Sequence, residues 1–124
     1  MATDTPPVSL AALGDELLEQ ARGQPAGRAA RTVTAAGTAL RQVVLAITAG
    51  QRLQDHHAPG PATLQVLRGR VRVTVDGGEQ ALEAGEWAPI PDAVHGLVAD
   101  EDAVALLSVG GVSAVDPEAD PTRR

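Results

Sequence analysis

Between Arg28 and Gly110 the chain cannot run far before something turns it. Breaks fall at Ala36-Gly37, Ala49-Gly50, Pro59-Gly60-Pro61, Gly69, Asp76-Gly77-Gly78, Gly85, Pro91-Asp92 and Asp100-Glu101-Asp102. Gly takes up backbone angles that other residues resist, and Pro fixes a turn while removing a hydrogen-bond donor. The stretches left between the breaks are short and rich in Val, Leu, Ile and Ala. They read as strands over 29–35, 39–48, 51–57, 62–68, 70–75, 79–84, 86–90, 95–99 and 103–109. Turn signals spaced about 8–12 residues apart predict an all-β sandwich or barrel. The Asp76-Gly77 step predicts a tight hairpin.

Alternation is clearest where Val71, Val73 and Val75 interleave with Arg70, Arg72 and Thr74. A period of two puts the valines on one face and the polar residues on the other, so the valines point inward. Ahead of the strands the period changes. Leu10, Leu13, Leu17, Leu18 and Ala21 fall at helical spacing, Ser9 can cap them, and the Gly-Pro-Gly-containing stretch 23–27 ends the helix. The expected division is a lead-in over 1–8, a helix and linker over 9–27, a β-domain over 28–110 and a tail over 111–124, rich in Asp, Glu, Pro and Arg. With no Phe or Tyr and with Trp87 as the only aromatic, the core must be aliphatic.

The net charge of −6 argues against a nucleic-acid partner, whose binding rests on neutralising phosphates. Arg68, Arg70 and Arg72 read as a solvated sheet face. Cysteine is absent, which removes disulfides and thiolate chemistry. The N-terminus lacks the basic start and apolar run of a signal peptide, and no apolar run approaches the roughly 20 residues of a membrane span. A cytoplasmic protein with no membrane partner is the expectation.

Three histidines are the residues best suited to chemistry. His56 and His57 are adjacent, and His95 lies on a distant strand. Imidazole readily binds first-row metals. His56 and His95 each stand at the end of an expected strand beside a Gly/Pro turn, and such positions in a small barrel gather at one mouth. The stretch from Gly50 through His56 to Gly69 resembles the first cupin motif, and the stretch from Gly85 through Pro91 to His95 resembles the second, one residue shorter between proline and histidine. The resemblance covers roughly residues 38 to 110. It implies an all-β, cupin-like jelly-roll barrel, here with a short N-terminal helix. In metal-binding members of that family three histidines and a glutamate hold one divalent ion. This sequence has Ala58 where the second histidine would stand and Ala62 where the glutamate would stand. His56 and His95 remain at matching positions. His57 completes a three-histidine set only if it swings inward, and strand alternation points it and Asp55 away from His56 unless a bulge re-aims them.

The expected metal ligands are therefore His56, His95 and His57, around one divalent transition metal. Trp87 and Gln65 are the candidate ligand-binding residues, although Gln65 alternates with the inward Leu64 and Val66 and Trp87 can equally serve as a packing anchor. Asp92 can orient His95 or simply turn the chain. Ser9, Ser108 and Ser113 lie away from the expected mouth and form no triad. The leading functional expectation is a cupin-domain protein that binds a small molecule, and a metal, in the barrel mouth with no assigned reaction. The alternatives are a metal-dependent dioxygenase or isomerase using His56, His57 and His95, and a structural dimerisation domain. Outward apolar residues, Leu67 and Leu106 or Leu107, suggest a homodimer through a sheet face.

Overall fold

The structure is a computed structural model that describes residues 6–58 and 60–111. One helix, α1 (Leu10–Arg22), precedes nine strands: β1 (Arg28–Thr32), β2 (Arg41–Ile47), β3 (Arg52–His56), β4 (Ala62–Arg68), β5 (Arg70–Val75), β6 (Gly78–Glu83), β7 (Trp87–Ile90), β8 (His95–Ala99) and β9 (Ala103–Val109). All nine expected strands form, each starting within two residues and ending within three of its expected bounds. They pair antiparallel in two sheets, a five-stranded one in the order β1-β2-β9-β4-β7 and a four-stranded one in the order β3-β8-β5-β6.

The sheets face each other over one aliphatic core. Leu45, Ile47, Leu64, Val66, Ala103 and Ala105 come from one sheet, and Val71, Val73, Leu82, Leu97 and Ala99 from the other. Alternation does the sorting. Val71 and Val73 are buried, while Arg70 and Arg72 face out to carboxylates at Asp100 and Glu79. The β5–β6 hairpin turns on Asp76 and Gly77, both at positive φ (23° and 78°), as a two-residue turn requires. Gly69, at φ +80°, lets β4 give way to β5 against the backbone of Asp102 and Ala103.

A second, smaller core lies on the outside of the five-stranded sheet. Ser9 caps α1 by accepting the Ala12 N–H at 3.1 Å. The helix then lays Leu13, Leu17, Leu18 and Ala21 over Val44, Ala46 and Val104, with Leu67 and Leu106 packed at the margin. The outward leucines that suggested a second copy of the chain are thus partly claimed by the helix, while Leu107 packs into the barrel. Gly14 is what lets α1 come so close: a Cβ there would stand 2.9 Å from Val104 Cγ1. Among the described residues no helix is long and apolar enough to cross a membrane.

Candidate functional site

His56 and His95 meet because of one irregularity. On β8, His95 and Leu97 are two residues apart and share the inner face. Their partners on β3, His56 and Leu53, are three residues apart, with a register shift between them. A bulge therefore inserts one residue, and the parity change turns His56 inward to sit directly opposite His95. Gly96 makes room for the bulged Asp55. A Cβ at that position would run into Asp55 Oδ1 and stand 2.9 Å from Thr74 Oγ1. The bulge foreseen as a means of re-aiming His57 re-aims His56 instead.

The two ring centres are 4.6 Å apart and tilted by 56°. His95 is the only buried polar side chain among the described residues, 6% exposed. Its Nδ1 lies 3.0 Å from the Ala93 carbonyl, and His56 Nδ1 lies 3.1 Å from the Gln54 carbonyl. A carbonyl oxygen only accepts, so both Nδ1 atoms carry the hydrogen. In its neutral form each ring then keeps a lone pair at Nε2, the form in which imidazole binds metals or accepts a hydrogen bond. The surroundings are aliphatic: Leu53, Leu64, Val73, Ile90, Leu97 and Leu107 line a cavity of about 30 Å³ with the two histidines. These leucines and the isoleucine carried no functional signal in the sequence, because an inward aliphatic residue looks the same over a pocket as over a packed core.

The other expected site residues go elsewhere. His57 is half exposed, and its Nε2 lies 2.6 Å from Asp92 Oδ1, outside the cavity. Asp92 thus orients His57 rather than His95. Trp87 and Gln65 are register partners on the outer face of the five-stranded sheet, where Trp87 is 59% exposed. Ala88, Leu64 and Val66 are the inward residues, so their neighbours point out, which is the side that alternation indicated for Gln65 and which keeps both candidates away from the two histidines. Ser108 shares that outer face, bonded to Gln42 at 3.1 Å, and Ser113 falls outside the described residues. A separate open groove of about 750 Å³, lined by Arg52, Asp55, Thr74, Asp76 and Glu79, contains neither histidine.

With ring centres 4.6 Å apart, His56 and His95 are close enough to act on one bound group, and they are the residues that would hold a metal. The donor count does not fit a closed four-ligand centre: among the described residues no three His, Cys, Asp or Glu side chains gather to hold a metal. Ala62 is buried on β4, opposite Ile90, and adds no donor.

No protein-family model matches the sequence, and no curated protein matches it. Solved structures do. A conserved protein of unknown function from Streptococcus pyogenes is 26% identical over 70% of this chain and 76% of its own, with a TM-score of 0.62. An RmlC-like cupin from Shewanella frigidimarina is 22% identical over 70% of this chain and 78% of its own, also at 0.62. This chain has the cupin fold. A third cupin-fold neighbour, the salicylate 1,2-dioxygenase of Pseudoaminobacter salicylatoxidans, is 23% identical over 80% of this chain with a TM-score of 0.67, but the match spans only 34% of that enzyme. The stretches Gly50–Gly69 and Gly85–His95, which resemble the cupin motifs, supply the strands and turns that carry His56 and His95.

Proposed function

We propose that this cupin is a binding module without a reaction of its own, in which His56 and His95 together grip one small group. That group is either a donor hydrogen of a small molecule or a divalent transition-metal ion whose remaining positions are filled by water or ligand. The observation that supports this reading is the pair of imidazoles, each with Nδ1 tied to a backbone carbonyl, side by side in the lining of an aliphatic cavity. Size sharpens it. Small-molecule pockets usually measure about 300–1,000 Å³, and this cavity of about 30 Å³ is the size of one water. A bound molecule therefore inserts one group and leaves its body at the mouth.

The enzyme reading draws on the fold shared with a dioxygenase. A bound metal would polarise an oxygen atom or a carbonyl. His56 and His95 would hold it, but among the described residues no carboxylate joins them to offset a double positive charge beside the buried His95. The binding module is the better account.

Metal analysis of protein purified without chelator, followed by Co²⁺ titration, tests it. The expected outcome is well under one metal per chain on purification and weak, saturable Co²⁺ binding that His95→Ala lowers at least about tenfold by removing one of two ligands. Full retention of iron, manganese or zinc would support the enzyme instead. Co²⁺ binding unchanged in His95→Ala would remove His95 from the site.

A further inference from the structure

The His57–Asp92 pair belongs to neither core and is not part of the imidazole pair, yet its position is telling. His57 follows His56 directly, on the segment leaving β3. Asp92 lies three residues before His95, on the segment entering β8. The contact at 2.6 Å therefore joins the two connections that carry the two mouth imidazoles. Those imidazoles need such support. His56 and His95 form the last register pair of the β3–β8 ladder, beyond the bulge, with no paired residues between them and Leu53–Leu97. Strand pairing alone holds the end of a ladder weakly, and a bulge weakens it further.

We propose that Asp92 is a positioning residue, which, by clasping His57, keeps β3 and β8 together at the mouth and pre-organises the His56–His95 pair for its ligand. The clasp is not a stability element. Asp92 is 97% exposed and His57 52% exposed, and exposed pairs are worth at most about fivefold in an equilibrium constant. Its effect is local, on the geometry of His56, next to His57, and of His95, three residues beyond Asp92. The carboxylate accepts from His57 Nε2, so the neutral form of His57 carries its hydrogen on the nitrogen opposite to the one used by His56 and His95. That difference gives the clasp a spectroscopic signature of its own.

The proposal rests on the reading of His56 and His95 as the binding pair, and the test separates the two. Full-length wild type, Asp92→Ala and Asp92→Glu are compared by Co²⁺ titration and by side-chain ¹H–¹⁵N spectra of labelled histidine. In Asp92→Ala the thermal midpoint stays within a few degrees, Co²⁺ affinity falls about threefold to fivefold, and the ring-to-ring contacts between His56 and His95 weaken. Asp92→Glu, which can remake the contact, restores most of both. If wild type does not bind Co²⁺, the binding reading fails while the ring contacts still decide the clasp. Wild-type affinity together with unchanged ring contacts in Asp92→Ala would overturn the proposal, as would loss of both in Asp92→Glu to the extent seen with Ala.

Discussion

A carbonyl oxygen two residues upstream sets the tautomer of each mouth imidazole, Gln54 for His56 and Ala93 for His95. Sequence located both histidines through their spacing from Gly50, Gly85 and Pro91, because glycine and proline positions are readable as backbone requirements. Motif spacing favoured His56 over the adjacent His57, but the bulge that turns His56 inward was not legible, because a bulge is a compromise between two strands rather than a property of either. Gly69 makes a firmer residue-scale prediction. Its positive φ and its contact with the Asp102–Ala103 backbone leave no room for a side chain. Gly69→Ala combines left-handed strain with overlap against backbone and should cost about 3 kcal/mol or more. Urea unfolding measures it, and a loss below about 1 kcal/mol would mean that the β4–β5 junction relaxes freely.

At the scale of elements, α1 is held to the barrel by charge as well as by its leucines. Asp15 meets Arg68 at 2.6 Å, Glu16 meets Arg31 at 2.9 Å, and Arg22 meets Asp102 at 3.1 Å. Asp102 also accepts the Ala49 N–H at 2.9 Å. That backbone hydrogen bond, then Arg22, hold its carboxyl below the ordinary carboxylate pKa. A lowered pKa means that the folded state favours the ionised form. The stabilisation is present above the unfolded pKa of about 3.9 and is lost as pH falls through the lower folded value. Asp102→Asn should therefore differ from wild type by a constant amount above about pH 5, and the difference should shrink below about pH 4. With the carboxylate 38% exposed, screening keeps that amount below about 1 kcal/mol. Thermal unfolding between pH 2 and 7 checks it, and a difference that grows on acidification would contradict the sign. The amphipathic stripe of α1 was legible from its spacing. Its seat on the outside of the five-stranded sheet was not, because a stripe says which face is buried and nothing of what buries it.

For the molecule as a whole, two aliphatic faces pressed together were foreseeable from alternation and turn spacing, and the sheet order was not. Side-chain period sorts residues into faces, whereas strand order depends on long-range pairing. Thr63, Gln65, Trp87, Pro89, Leu106 and Ser108 share the part of the outer sheet face beside α1 and carry no charge, on a chain with 21% charged residues. We propose that this strip, with Trp87 at its edge, is where a homodimer would pair. Sedimentation equilibrium should then show a dimer that Trp87→Ser shifts toward monomer, and a wild-type monomer at high concentration would dispose of the idea.

The central claim concerns two rings in the barrel mouth, and a long-range ¹H–¹⁵N correlation spectrum of the histidines, taken at a pH where the rings are neutral and read with ring-proton NOEs, tests it most directly. The structure predicts hydrogen on Nδ1 for His56 and His95, hydrogen on Nε2 for His57, and ring-proton contacts between His56 and His95 alone. Hydrogen on Nε2 of His95, or no contact between the His56 and His95 rings, would contradict the account.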